Sequence, residues 1–141
     1  MSAAPKTEAD TQPQTKGSLV PYLALNGASA ASEFYQKAFG ATEVTRMPGA
    51  DDGRLIHCHL YINGHSLMLS DPFPEHGHPH TPPAGYTLTL MVDNMEAWWK
   101  RAVDAGATVV MPYAKQFWGD IYGQLRDPFG VLWALNQPGA N

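Results

Sequence analysis

A chain of 141 residues, 44% of them hydrophobic, has room for one domain with a core of its own. Nine Lys and Arg against thirteen Asp and Glu leave a formal net charge of -4 with no basic cluster, which argues against nucleic acid as a partner. The single cysteine, Cys58, excludes a disulfide framework and a cysteine zinc site and fits a reducing compartment, the cytoplasm; no stretch approaches the roughly 18 apolar residues of a membrane span.

Residues 1–17, MSAAPKTEADTQPQTKG, have no apolar run resembling a signal-peptide core and read as a disordered tail. Leu19 to Leu25 then predicts a strand. Ala28 to Phe39 predicts a helix whose Ala31, Phe34, Tyr35 and Ala38 share one face, stopped by Gly40. Strands follow at Thr42 to Arg46, Arg54 to Ile62 and His65 to Ser70, the last two joined by Asn63-Gly64, a strong hairpin signal. This makes 18–71 a β-α-β-β-β module. Residues 72–85, rich in Pro, His and Gly, suit a linker. In 86–138 the order repeats. A strand at Tyr86 to Val92 precedes a helix capped by Asp93 or Asn94 and stopped by Gly106; strands at Thr108 to Met111, Phe117 to Arg126 and Val131 to Asn136 complete it.

The halves are also similar in sequence. Gly40-Ala41-Thr42-Glu43-Val44 returns as Gly106-Ala107-Thr108-Val109-Val110, sixty-six residues on, and the same shift carries Leu25 onto Met91, Leu67 onto Trp133 and Leu69 onto Leu135. The expected fold is therefore α+β, two tandem modules forming a curved mixed sheet around a cleft.

Alternation assigns faces. Ile56, Cys58, Leu60 and Ile62 should meet the helices, which puts His57, His59 and Tyr61 on the open side with Met68 across from His59. In Asp127-Pro128-Phe129-Gly130 a type I turn with a glycine bulge adds one residue. Leu125 then pairs with Trp133, and Trp118, Asp120, Tyr122, Gln124 and Arg126 share the open face with Leu132, Ala134 and Asn136.

Several segments together resemble the PhnB-like branch of the glyoxalase and bleomycin-resistance (vicinal oxygen chelate) superfamily. They are Pro21-Tyr22-Leu23, Glu33-Phe34-Tyr35, Phe39-Gly40-Ala41, Leu67-Met68-Leu69-Ser70-Asp71, Phe117-Trp118-Gly119-Asp120 and Arg126-Asp127-Pro128-Phe129-Gly130. Relatives often carry Arg where this chain has Ile121. The resemblance implies paired modules around a cleft, usually in a homodimer, with a divalent ion in metal-dependent members. The places that hold that ion fall here on Pro21, Met68, Thr87 and Ala134. Pro and Ala offer no donor, a Thr hydroxyl is weak and Met sulfur prefers soft copper, so no metal and no cofactor are expected. Some relatives carry a ubiquinone methyltransferase label, but the chain has no glycine-rich motif for S-adenosylmethionine.

Other groups have competing readings. His57 and His59 either hold a displaced metal with Asp71 or Glu75, act in proton transfer, or simply line the cleft. His76, His78 and His80 read as a solvated loop or a chelating tract. Trp98 and Trp99 lie about 100° apart on a helix, so one meets a partner subunit or both pack within the chain. Tyr61, Trp118 and Tyr122 clamp a planar ligand or form a dimer seam. Asp127 reads as a turn residue and Cys58 as an inert buried thiol.

The leading expectation is a homodimeric, cytoplasmic small-molecule binding protein with a cleft lined by His57, His59, Tyr61, Met68, Trp118, Tyr122, Gln124 and Arg126. One use is sequestering a toxic or antibiotic-like compound. The alternatives are a lyase or isomerase working through His57 or His59, and a purely structural dimer module.

Overall fold

The computed structural model describes residues 12–139, so the expectation for residues 1–11 of the tail lies outside the described chain. The first module runs β1 (Tyr22–Ala24), α1 (Ala28–Phe39), β2 (Thr42–Pro48), β3 (Leu55–Ile62) and β4 (His65–Ser70). The second runs β5 (Leu88–Met91), α2 (Met95–Ala105), β6 (Thr108–Lys115), β7 (Ile121–Arg126) and β8 (Leu132–Gln137). Each module folds its strands into a mixed four-stranded sheet, ordered β1-β4-β3-β2 and β5-β8-β7-β6, with the first strand parallel to the last. The architecture is α+β with two repeated modules, as the element order implies. Between them, residues 72–85 hold a 3-10 turn at Pro74–His76 and one bridge from Phe73 to His78.

Local chemistry explains the boundaries. At the first hairpin Asn63 and Gly64 both take positive φ, 50° and 85°, the backbone that a two-residue turn needs to match strand twist. Leu60 consequently pairs with Leu67 and His59 with Met68. Helix α2 starts at Asn94, whose side chain accepts the Ala97 amide at 3.2 Å. Helix α1 starts at Gly27, which has no side chain to cap with. Asp71, at the end of β4, does it instead: Oδ1 accepts the Gly27 and Ala28 amides at 2.8 and 3.1 Å, while Oδ2 accepts the Leu55 amide at 2.7 Å. One carboxylate thus joins α1, β3 and β4.

The modules share one core. Trp133 of β8 lies 5.2 Å from the ring of Tyr35 and 4.8 Å from that of Phe39, both on α1. Asp127 ties this cluster down from a position only 5% exposed. Its Oδ2 accepts the Tyr35 hydroxyl at 2.5 Å and the Trp133 indole at 2.8 Å; its Oδ1 accepts the Phe129 and Val131 amides at 2.8 and 3.0 Å. The turn role expected of Asp127 is present, and the bridge to Tyr35 is added to it.

Three expectations need correction. The offset of sixty-six does not hold throughout: buried Leu23, Leu25 and Ala28 match buried Leu90, Val92 and Met95, sixty-seven residues on, whereas Leu67 and Leu69 match Trp133 and Leu135 at sixty-six. Helix α1 has 12 residues and α2 has 11, so the count changes inside the helix. Next, Ile56 does not face the helices. It is skipped where Met47 pairs with His57 and Pro48 with Leu55, and this bulge turns it outward, 55% exposed. Lastly, the described end of the tail is packed. The Lys16 amide donates to Ser66 Oγ at 2.8 Å, Lys16 O accepts the Ser66 amide at 2.9 Å, and the Tyr61 hydroxyl donates to Gln14 O at 2.6 Å. The start of β4 and the hydroxyls of the open face need partners, and this backbone supplies them.

Candidate functional site

The open face of the first sheet carries the expected group, since register places Met47, Thr45 and Met68 across from His57, His59 and His59 respectively. His59 is buried, with Nε2 at 2.7 Å from Ser66 Oγ. Burial, aided by repulsion from His57, holds its pKa below the ordinary value and keeps the imidazole neutral. His57 Nδ1 lies 3.1 Å from the Tyr22 hydroxyl. Neither carboxylate suggested as a third metal ligand joins them: Asp71 caps α1, and Glu75 pairs with Arg54 at 2.6 Å. Among the described residues no three His, Cys, Asp or Glu side chains converge on one point, and this covers His76, His78 and His80. Cys58 is buried and donates to Glu43 at 3.3 Å; burial pushes its thiol pKa up to about 12, which makes it a poor nucleophile.

In the second sheet, Tyr122, Gln124 and Arg126 face the same way, opposite Asn136, Ala134 and Leu132, as the bulge requires. Gln124 donates to the Tyr122 hydroxyl at 3.0 Å, and Arg126 to the Gly130 carbonyl at 3.0 Å. Trp118 is not on the strand. It sits in the turn from Gln116 to Asp120, closed by the Gln116 amide on Asp120 O at 2.8 Å, because β7 begins only at Ile121. There it touches Phe117 at 4.8 Å between ring centres. Trp98 and Trp99 both pack within the chain, and Trp99 occupies the space above Gly123, where an added Cβ would lie 2.6 Å from its ring.

A cavity between the modules lies elsewhere, at the seam where the β3-β4 hairpin approaches β5. It measures about 600 Å³ and is walled by Pro21, Ser66 and Leu67 from the first module and Thr87, Thr89 and Trp133 from the second. Asn63 crosses the seam, its side-chain amide donating to Met91 O at 2.8 Å. The cavity brings together Pro21 and Thr87, but His57, His59, Tyr61, Met68, Trp118, Tyr122, Gln124 and Arg126 do not line it. Ser66, Thr89 and Trp133 are the residues that sequence reasoning missed.

Register also tests the positions that hold a divalent ion in metal-dependent members of the resembling family. Tyr22 pairs with Met68 and Thr89 with Ala134, so the counterpart of Thr87 is Val20 and not Pro21. With either residue the set is a Met, a Thr, an Ala and a side chain with no donor, which does not fit a hard or borderline divalent ion.

Known proteins are similar to this chain in sequence or in fold. Protein PA1353 from Pseudomonas aeruginosa is 31% identical with a TM-score of 0.72, covering 86% of this chain and 98% of that one. PhnB protein from Bacillus cereus, 21% identical with a TM-score of 0.62 over 86% of this chain and 99% of that one, is similar in fold alone. Protein Mb0911c from Mycobacterium bovis is 45% identical over an alignment of 126 positions that covers 85% of this chain and 82% of its own. A family model matches residues 21–135, from the start of β1 to β8, and by that match the chain belongs to the Glyoxalase/Bleomycin resistance protein/Dioxygenase superfamily.

Proposed function

We propose that this protein binds a small molecule at the seam between its modules, without a divalent ion, as a cytoplasmic homodimer of the PhnB-like branch. The observation that carries this reading is the cavity of about 600 Å³, within the range of ligand sites, with apolar Pro21, Leu67 and Trp133 beside the hydroxyls of Thr87 and Thr89. The donor-poor set at the family's ion positions supports binding over Lewis-acid chemistry. The PhnB assignment rests on the sequence segments quoted above. Phe117, 96% exposed, and Trp118, 51% exposed, support a second copy as the partner, and sedimentation giving the mass of one chain would remove that element. Sequestration of a toxic or antibiotic-like compound is the use that fits. Among the described residues no helix is long and apolar enough to cross a membrane.

A second reading, a lyase or isomerase with His57 as the proton-transfer group, is favoured by one contact, the Tyr22 hydroxyl against His57 Nδ1 at 3.1 Å. His59 serves it less well, being buried against Ser66.

Fluorescence titration with the uncharged dye N-phenyl-1-naphthylamine tests the binding reading. The expected result is saturable binding of one dye per chain that is lost in Thr89→Trp, which fills the cavity from β5, while Tm moves by less than about 4 °C. His57→Gln should bind the dye as well as wild type does. Absence of saturable binding would overturn the reading.

A further inference from the structure

We infer that the seam cavity selects uncharged, predominantly apolar molecules and rejects anions such as carboxylates, phosphates and glutathione-type conjugates. This rests on the binding reading above and specifies the ligand class at the same site. Among the described residues no Lys, Arg, Asp or Glu lines the cavity, and His65 is its one titratable side chain. Recognition of a carboxylate or phosphate uses Arg, Lys or a cluster of free backbone amides. Two amides at the β4 side are already used: that of Ser66 donates to Lys16 O, and that of Met68 donates to Pro21 O at 3.0 Å. An anion entering would lose its hydration without gaining the guanidinium or ammonium partner that offsets that loss.

The charge behind the wall acts in the same direction. Asp127 sits directly behind Trp133, its Oδ2 at 2.8 Å from the indole nitrogen, with no Lys or Arg among its hydrogen-bond partners. Its field at the cavity floor is negative and only weakly screened in the core. Ser66 offers little to a ligand because its hydroxyl already meets the Lys16 amide and His59. Thr87, Thr89 and the ring of His65 remain as polar side chains on the wall that no other side chain engages, suited to one or two carbonyl or hydroxyl groups on an otherwise apolar ligand.

A matched pair of dyes tests the selection. N-phenyl-1-naphthylamine and 1-anilinonaphthalene-8-sulfonate share one ring skeleton and differ by a sulfonate. Wild type should bind the uncharged dye at least about tenfold more tightly, and Thr89→Lys, which puts a cation on the wall, should narrow that gap by raising affinity for the sulfonate. If the sulfonate binds wild type as tightly and Thr89→Trp abolishes both dyes, charge selection is overturned while the binding reading stands. If neither dye saturates, or Thr89→Trp leaves both unchanged, both inferences fall together.

Discussion

The two modules have the same element order and packing that differs sharply. Helix α1 buries seven of its residues, from Ala28 to Phe39, whereas α2 buries only Met95 and Ala102. On the first sheet, residues 14–17 lie against the open face and satisfy Ser66 and Tyr61. In the second sheet, strand β6 leaves Val109 and Val110 exposed. The difference shows that a duplicated module need not duplicate its energetics. Each copy keeps the turns, helix stops and strand order, but the first holds most of the core around α1, and the second depends on it through Trp133, Tyr35 and Asp127.

Three experiments break or sharpen that contrast. The largest effect is expected at the bridge: Asp127→Ala strands two amides, an indole and a phenol of both modules, and should cost about 4 kcal/mol in urea unfolding. A loss under about 1 kcal/mol would show that the second module does not depend on the bridge. Next comes a paired comparison of the halves. Leu60→Ala, in the fully buried part of β3, should cost about 3 kcal/mol, and Val103→Ala on exposed α2 less than about 0.5 kcal/mol. Equal costs would remove the asymmetry.

The smallest effect concerns pH. The pKa of His59 in the folded chain lies below its ordinary 6.5, so as pH falls the unfolded chain takes up that proton first. Its neutral burial therefore contributes fully above about pH 6.5 and is lost as pH drops toward the folded value. Wild type should lose stability through this window, and His59→Gln should flatten the slope. An unchanged slope would place the titrating group elsewhere.

Much of this was legible from local chemistry. The Asn63-Gly64 turn, the bulge at Gly130 and the stops at Gly40 and Gly106 depend on backbone angles that few residues adopt, so they announce themselves in the chain. From them followed the pairing of His59 with Met68 and of Leu125 with Trp133. What failed depended on counting across a helix or on distant partners. The slip from sixty-seven to sixty-six was invisible because helices of 11 and 12 residues satisfy the same hydrophobic period. Asp71 looked free for a metal because its partners, Gly27 and Ala28, lie more than forty residues upstream.

The sequence by itself determined the element order and the duplication, since these follow from residue type and short-range spacing. Only the tertiary structure decided that the cavity opens between the β3-β4 hairpin and β5 and not over His57 and His59, and that residues 14–17 pack against Ser66 and Tyr61. The reason is physical: a side chain's face is set by its own strand, but the space in front of that face is set by whichever distant segment fills it.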